Sequence, residues 1–423
     1  MAQNYFFNTP QGFGAAATGG GNASPVTVST YTDLKTNMTT AGAKVILVSG
    51  QITIPSSQPI SAVISNKTII GLPGAKLINE TQSSPGAGIF YLKPGSNNII
   101  IRNLIFVGPA AYDIDGQDNM TSDGCTNLWV DHCEFQDGQD GNFDIKGLSD
   151  NVTVSWCKFT YLKAAVPGGS GGTNDHRFSD LVGSSSTDAP ADGHYSITFQ
   201  NNYWATGCKE RMPRARNGEL HILNCYYNVG VTGSLAIGLG GGINNTTCYV
   251  ENTNFANITQ VYRNYNSTDG GTVNLNFSNC LNGVANVGSV TPPSYSTSVM
   301  PVNEVADRLS DSGCGAGATL HVSNSGVITP GNCTNLATTN IVQKSEILVY
   351  PSPAKNVLNF TSKKESILDI EIHSIEGKII SQNPVKPFIE ENYPLNIESL
   401  KPGVYFYLVK TKSTQFRGKF IKE

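Results

Sequence analysis

The sequence predicts an all-β protein with two parts, a long solenoid of stacked β-strands followed by a small β-sandwich. Only 14% of the 423 residues are charged and 44 are glycine, a composition that favours turn-rich β structure over helices. Short β-like segments that end in an aromatic residue recur through about the first 280 residues. Near residue 343 the composition changes, and basic residues begin to outnumber acidic ones.

The recurring segments can be superposed without gaps, and each ends in Phe, Trp or Tyr. They are Ile100–Phe106, Trp129–Phe135, Thr153–Phe159, Thr198–Trp204, His221–Tyr227 and Tyr249–Phe255. Successive ends are 23 to 29 residues apart, except for one step of 45 residues that contains an insertion. A unit of this length cannot bury its apolar face alone, so it predicts one turn of a solenoid stabilised by its neighbours. The absence of amphipathic helical periodicity between strands argues against a βαβ sheet or a TIM barrel.

Small or medium-sized side chains occupy the fifth position of each segment, among them Cys133, Cys157 and Cys225. We expect these cysteines to pack in the core rather than to act in catalysis or metal binding. Because the chain has nine cysteines, at least one has no partner within it. Cys314 and Cys333 flank a Gly/Ser/Asn-rich loop and would suit a disulfide in an exported protein, although spacing alone leaves both outcomes open.

Domain boundaries follow from the fading of the repeat. We predict a solenoid domain over residues 1–325, a linker over 326–342 and a β-sandwich over 343–423. Residues 284–340 are rich in Ser, Thr, Pro and Gly, which predicts a final winding followed by the linker. The first 342 residues hold 16 basic and 23 acidic residues, whereas the tail holds 12 and 9. The predicted strands of the sandwich are Ile347–Tyr350, Asn356–Phe360, Leu368–His373, Lys378–Ser381 and Val404–Lys410.

Three aspartates and one arginine take similar positions relative to the repeat. Counted back from the start of the next aligned segment, the offsets are 11, 13, 9 and 10 residues for Asp118, Asp140, Asp144 and Arg211. If the turns stack in register, these side chains share one sector of the solenoid wall, with neighbouring turns about 5 Å apart. Converging carboxylates repel unless a cation neutralises them, and oxygen ligands suit calcium better than zinc. The alternative is that they are turn-forming aspartates on a polar loop.

A basic run follows the aspartate pair two turns later, with Lys209, Arg211, Arg214 and Arg216 inside eight residues. These cations indicate either an anionic partner or pairing with surface acids. Carboxylates and cations in one groove suit a polyanion whose own carboxylates bridge the metal and bind the arginines, such as an acidic polysaccharide. Nucleic acid is not expected, because no aromatic platform is interleaved with the basic run. No apolar run approaches the roughly 20 residues of a membrane span, and a monomer is expected.

Three strings in the sequence resemble a known family. WVDHCEF, DGNFDIKGLSDNVTVSWCKF and RMPRARNGELHILNCYYN are similar, from about Phe13 to about Cys280, to the pectate lyases with a single-stranded right-handed parallel β-helix, polysaccharide lyase family 1. The resemblance implies a calcium site formed by Asp118, Asp140 and Asp144. It also implies that Arg211 is the catalytic base and that Arg216 binds the substrate carboxylate.

One position departs from the family pattern. Where the family has a substrate-binding lysine shortly before a Leu-Ile-Gly run, this chain has Phe178 before the run 181–183 (Leu-Val-Gly). Arg177 and Lys163 are the candidates to replace that lysine, and Lys209 is a further candidate for substrate binding. The preceding stretch, residues 167–177, belongs to the insertion and is expected to influence substrate preference.

The resemblance implies calcium-dependent β-elimination of α-1,4-polygalacturonate. Calcium would acidify the C5 proton of the substrate, and the cationic neighbours Lys209 and Arg216 would disfavour the protonated form of Arg211. Two alternatives remain, a β-helical polygalacturonase-type hydrolase with a carboxylate acid and base, and a surface β-helix that binds acidic glycans without cleaving them. The arginine-rich motif, with no acid pair near His221, counts against the hydrolase.

The tail resembles the C-terminal sorting domain of the Bacteroidetes type IX secretion system. The similarity lies in four short motifs, VYPSPA at 349–354, EGK at 376–378, PGVY at 402–405 and KFIK at 419–422. It implies recognition by that machinery and a secreted or cell-surface location. Residues 1–5 have neither the basic nor the apolar region of a signal peptide, which by itself leaves a cytoplasmic location open. The alternative is a carbohydrate-binding or adhesive β-sandwich.

Overall fold

The computed structural model describes residues 6–82, 86–115, 118–334, 347–362, 366–375, 377–385, 392–412 and 415–423. The chain divides into two compact units, Met1–Leu336 and Ala337–Glu423. The first unit is a parallel β-helix, as predicted, and the second is a small antiparallel β unit. Residues 335–342 of the predicted linker lie outside the described residues.

Three parallel sheets form the wall of the β-helix. Sheet 1 has ten strands, Pro25–Val28, Lys44–Val48, Ser65–Gly71, Asn97–Arg102, Thr126–Asp131, Asp150–Ser155, Tyr195–Gln200, Gly218–Leu223, Thr246–Glu251 and Val273–Ser278. Sheet 2 has eight, Gln51–Thr53, Lys76–Ile78, Ile105–Val107, Glu134–Gln136, Lys158–Thr160, Tyr203–Trp204, Tyr226–Asn228 and Asn254–Asn257. Sheet 3 has eight, Ile60–Ala62, Phe90–Leu92, Met120–Asp123, Phe143–Lys146, Leu181–Val182, Arg214–Ala215, Leu235–Leu239 and Gln260–Asn264.

The strand register confirms the gapless superposition of the repeats. Each segment-ending aromatic is paired with the one in the next turn, and their side chains form a ladder inside the β-helix, Phe106, Phe135, Phe159, Trp204, Tyr227 and Phe255. Neighbouring ring centroids are 4.6 to 5.5 Å apart, and the rings are stacked. Turn spacing thus sets the ring spacing, and the ladder fills the core continuously.

The corner between sheets 1 and 2 requires the left-handed backbone conformation in every repeat. The residues there have φ between 45° and 57°, and they are Asn103, His132, Trp156, Asn201, Asn224 and Asn252. Asparagine adopts this conformation more readily than most residues, which explains its recurrence at the fourth position of the segments. The next residue points inward, and Cys133, Cys157 and Cys225 are fully buried there, as predicted.

Residues 284–334 do not continue the winding, in contrast to the prediction. They run back along the β-helix, so that Val287 pairs with Leu275 in the last turn, Gly317 contacts Trp156, and Leu320 bonds to Asn103 near the first turns. The helix Val302–Ser310 in this segment buries apolar side chains against the outer aromatics of the wall. Covering those aromatics is the physical reason for the return. Other helices are Tyr31–Thr39, Asn266–Asp269 and the 3-10 turn Gly12–Ala16.

The start of the predicted linker is folded. Ile328–Thr329 pairs antiparallel with His321–Val322. Cys314 and Cys333 form a disulfide, with Cα atoms 4.7 Å apart, which confirms the pairing suggested by their loop. Ordered structure therefore extends beyond residue 325.

The second unit is a sandwich of two antiparallel sheets. The three-stranded sheet contains Ile347–Tyr350, Val357–Ser362 and Asn392–Asn396, and the four-stranded sheet contains Ile367–His373, Ile379–Pro384, Gly403–Thr411 and Gln415–Lys422. Apolar side chains from both sheets share one core, and Phe360 of one sheet lies edge-on to Tyr407 of the other at 5.4 Å. Five of these strands were predicted with small shifts, while 392–396 and 415–422 were missed. Glu376 of the predicted EGK motif lies outside the described residues.

Candidate active site

A groove with a volume of about 640 Å³ lies along sheet 3, where the loops enter its strands. Carboxylates and cations dominate its lining, which includes Asp140, Asp144, Lys146, Arg211, Arg214 and Arg216. Asp140, Asp144 and Lys146 belong to the turn that contains Phe143–Lys146, and the three arginines belong to the turn that contains Arg214–Ala215, two strands further along sheet 3. The groove therefore runs parallel to the stacking axis, the direction in which an extended polymer would lie.

The three predicted aspartates meet at one end of this groove. Asp118, Asp140 and Asp144 are each at most 9% exposed. Gly141 lies between two of them, because a β-carbon there would be 2.8 Å from Asp118 Oδ1 and 3.2 Å from Asp144 Oδ1. Burial and the other two carboxylates raise the pKa of Asp118 well above its usual value. Burial, together with Asp140, raises the pKa of Asp144 to about 6, although Arg211 opposes this shift.

The carboxylate cluster fits a hard cation. Asp118 Oδ1 is buried and has no hydrogen-bond donor among the residues that the structure describes, while Asp118 Oδ2 accepts from the Thr121 hydroxyl at 2.7 Å. A buried carboxylate oxygen without a donor is costly unless a positive charge approaches it. Oxygen atoms from several carboxylates are the ligands that calcium prefers. The donor set therefore suits the predicted calcium ion.

Arg211 lies beside this cluster. Its backbone is left-handed, with φ at 57°, which is uncommon for a residue other than glycine or asparagine. Its guanidinium lies over the ring of Phe178, with the central carbon 4.9 Å from the ring centroid, and it interacts electrostatically with Asp144. The backbone conformation and the aromatic contact direct the side chain into the groove between the carboxylates and the next turns.

Arg214 and Arg216 share one counter-ion, Asp269. Arg214 bonds to Asp269 Oδ2, and Arg216 Nε lies 3.1 Å from Oδ1. Arg214 also lies over the ring of Tyr265, at 4.0 Å. Two guanidinium groups against one carboxylate leave an excess of positive charge in this part of the groove, as an anionic ligand requires.

The other predicted substrate-binding cations lie outside the groove lining. Arg177 forms a two-point contact with Asp175 at 2.6 and 2.7 Å, and Lys209 lies 3.2 Å from the same carboxylate. Lys163 donates to the backbone oxygen of Gly108. These partners come from the insertion and a neighbouring loop, which spacing alone did not reveal. A role of the three cations in substrate binding stays a prediction, since their present partners would have to be replaced.

The sequence reasoning missed several groove residues, among them Lys146, Asp113 and His176. Lys146 follows Asp144 by two positions on one strand, so the alternation of side chains places both on the same face. That signal was available in the DIK string. Asp113 and His176 also line the groove and lie close to Asp140. No spacing rule would have brought them together, because they belong to different loops.

A groove of this kind along a parallel β-helix defines a class of protein suited to extended polyanions. The chain belongs to the pectate lyase family, whose model matches residues 7–319. Curated relatives include the pectate trisaccharide-lyase of Thermotoga sp. (strain RQ2), 34% identical over 235 residues. Another is the probable pectate lyase B of Aspergillus flavus, 36% identical over 219 residues. The matches cover 53% and 50% of this chain, and little more than half of each relative, 56% and 58%.

Solved structures support the same fold. A point mutant of Bacillus subtilis pectate lyase matches 75% of this chain and 99% of its own, with a TM-score of 0.56 and 18% identity. A thermostable pectate lyase, PL 47, matches 74% of this chain and 98% of its own, with a TM-score of 0.55 and 20% identity. At these identities the likeness shows the fold alone, and it confirms the predicted parallel β-helix.

The tail matches a second family model. Residues 348–423 match the secretion system C-terminal sorting domain, which confirms the predicted sorting domain and a secreted or cell-surface location. Within the part of the chain that the structure describes, no helix has the length and apolar character needed to span a bilayer.

Proposed function

We propose that this chain cleaves α-1,4-polygalacturonate by calcium-dependent β-elimination, with Arg211 as the group that takes the C5 proton. The observation that carries the proposal is the buried cluster of Asp118, Asp140 and Asp144 beside an arginine-lined groove. Membership of the pectate lyase family supports the substrate class and the type of reaction.

The positive side chains of the groove bind and orient the polymer. Arg216 donates one bond to Gly183 O at 2.9 Å and shares Asp269 with Arg214, so its guanidinium is held in place from two sides. Lys146 is the lysine that the structure adds to the groove lining. Planar guanidinium groups suit carboxylates, which they grip at two points, whereas lysine acts as a point charge. We assign the main carboxylate contact to Arg216 and a supporting charge to Lys146.

Asp118, Asp140 and Asp144 would hold the cation. When bound, a calcium ion that also contacts the uronate carboxylate would withdraw charge from it and make the C5 proton more acidic. The acidic cluster would otherwise repel an anionic polymer, so the aspartates favour substrate binding only together with a cation.

Arg211 is the residue to which we assign the acceptance of the proton. A guanidinium is normally protonated, so a base role requires surroundings that favour its neutral form. Asp144 is its acidic neighbour, and its attraction for the guanidinium weakens when that carboxylate is engaged elsewhere. Asp175 lies 3.2 Å from the ammonium group of Lys209. The positive charge of Lys209 therefore acts less strongly on Arg211 than it would without that partner.

The bond changes balance without water or an oxidant. Arg211 takes the proton from C5, and the electron pair of that C–H bond forms the C4–C5 double bond. The C4–O4 bond breaks, and the departing oxygen becomes a hydroxyl by taking up one proton, while Arg211 gives up the proton that it took from C5, so that no net proton is gained or lost. One product therefore carries an unsaturated uronate and the other a new reducing end.

One assay separates this reaction from its two alternatives. Polygalacturonate is incubated with the protein in calcium or in chelator, and both ultraviolet absorbance of unsaturated uronate and reducing ends are followed. The proposal requires both signals with calcium and neither with chelator. Reducing ends without absorbance would identify a hydrolase, and substrate binding with neither signal would identify a non-catalytic glycan-binding protein.

For the tail we propose recognition by the type IX secretion machinery, supported by the sorting-domain match. In a host with that machinery, deletion of 348–423 should retain lyase activity inside the cell envelope. Measurement of activity in the medium and in the cell fraction tests this, and unchanged secretion would exclude the role.

A further inference from the structure

The structure contains a contact between a histidine and the carboxylate cluster that neither the family motifs nor the repeat pattern indicated. His176, in the insertion, is 4% exposed and lies between two aspartates. Its Nδ1 is 3.1 Å from Asp113 Oδ1, and its Nε2 is 3.1 Å from Asp140 Oδ1. The Nε2 contact has ion-pair distance without hydrogen-bond alignment. Each ring nitrogen thus faces a different carboxylate.

The Asp113 side of this arrangement is tied into the insertion. Asp113 Oδ2 accepts from the backbone N–H and from the hydroxyl of Thr173, at 2.6 and 2.7 Å. The hydroxyl of Thr173 is also 3.0 Å from His176 Nδ1. Gly169 and Gly171 lie so close that a β-carbon on either would be about 2 Å from Asp113 atoms. Asp113 is therefore fixed by the loop that carries His176.

Asp113, Asp140 and His176 have ligand atoms within 4.8 Å of one another. Asp113 contacts Nδ1 and Asp140 contacts Nε2. Calcium prefers oxygen ligands to an imidazole nitrogen. The histidine is therefore suited to hold the Asp140 carboxylate beside the cation rather than to bind the cation itself.

We propose that His176 is a positioning residue, which orients the Asp140 carboxylate for the cation and couples that carboxylate to the insertion through Asp113 and Thr173. The inference rests on the proposed function, in which Asp140 is a cation ligand. Groups that fix a ligating carboxylate typically change metal affinity about 10–100-fold when removed. His176 touches neither substrate nor cation in this scheme.

Two substitutions separate the two nitrogens. In His176→Asn the amide reaches only the Nδ1 position, so the Asp113 and Thr173 side is kept and the Asp140 contact is lost. In His176→Gln the longer side chain reaches the Nε2 position, so the Asp140 contact is kept. We expect the calcium dissociation constant, measured by isothermal titration calorimetry, to rise about tenfold in His176→Asn and to stay near wild type in His176→Gln. At saturating calcium kcat should recover in His176→Asn, because the base and the substrate-binding groups are intact.

His194→Asn is the matched control, since His194 Nε2 bonds to Asn244 O outside the groove, and its calcium affinity should equal that of wild type. If His176→Asn fails to fold, Thr173→Val removes the hydroxyl contacts to Asp113 and His176, and a smaller loss of calcium affinity is expected. The inference is overturned if His176→Asn binds calcium as tightly as wild type while Asp144→Ala abolishes binding. If Thr173→Val has to be used instead, wild-type calcium affinity in that folded variant has the same meaning. Failure of wild-type protein itself to bind calcium would instead refute the proposed function.

Discussion

Stacking of the same turns has opposite effects inside the β-helix and at the groove. Inside, stacking places Phe106, Phe135 and Phe159 face to face at 4.8 and 5.3 Å, and every added turn buries more apolar surface. At the groove, the same stacking brings Asp118, Asp140 and Asp144 together, and the pKa of Asp118 rises because of burial and its neighbours. Repetition therefore stabilises the fold on one side and concentrates unbalanced charge on the other, where a ligand can use it.

The largest effect is expected from Arg211→Lys at the groove. A lysine keeps the positive charge but moves and changes the proton acceptor, so kcat should fall roughly 10²–10⁴-fold with little change in KM or in the free energy of unfolding. Arg216→Lys is the comparison, and it should mainly raise KM because a point charge replaces a two-point contact. Steady-state kinetics on polygalacturonate measure both. Equal defects confined to KM in both variants would show that Arg211 binds substrate and does not act as the base.

Phe135→Ala tests the opposite side. Removing a fully buried ring from the middle of the ladder should cost about 3–5 kcal/mol of unfolding free energy, while kcat per folded molecule changes little. Urea unfolding followed by fluorescence, with activity on the folded fraction, measures both quantities. Leu162→Ala is the control, since Leu162 is 64% exposed. A loss of unfolding free energy in Phe135→Ala that is no larger than in Leu162→Ala would mean that the ladder is not a main source of stability.

Asp144→Asn reduces the charge of the cluster with little change in size. Calcium affinity should fall at least about tenfold, measured by calorimetry. In chelator, the pKa of Asp144 in the folded wild type is raised to about 6, so the folded state holds this proton more tightly than the unfolded chain. The free energy of unfolding therefore falls as pH rises from about 4 through 6. Asp144→Asn should lack that loss. Thermal unfolding at pH 4.5 and pH 8 tests this, and identical pH dependence in both proteins would contradict the unbalanced cluster.

The smallest effect is expected from Asp175→Asn, which frees Arg177 and Lys209. Bonds from Arg177 lower the pKa of Asp175 to about 2, so its contribution to stability is present above pH about 4 and is lost as pH falls towards 2. The pair is partly solvated, and the change should stay below about 1 kcal/mol. If the freed cations bind substrate, KM should fall relative to an Asp192→Asn control. An unchanged KM would remove both from the list of substrate-binding residues.

Much of the fold could be read from the sequence because a solenoid converts chain distance into position. The offsets of Asp118, Asp140 and Asp144 from the repeat were enough to place them in one sector, and Cys133 could be assigned to the core from its place in the segment. The path of residues 284–334 could not be read, because it depends on outer apolar surface created only when all the turns are assembled.

The sequence by itself determined the turn length, the register, the aromatic ladder and the sector shared by the carboxylates and Arg211, since each follows from a local repeat and from alternation along strands. Tertiary structure alone decided the partners of the long polar side chains. Asp175 forms ion pairs with Arg177 and Lys209, and His176 lies beside Asp140. The physical reason is that these contacts join loops of different turns. Their geometry depends on how the insertion packs, and no periodicity in the chain encodes that packing.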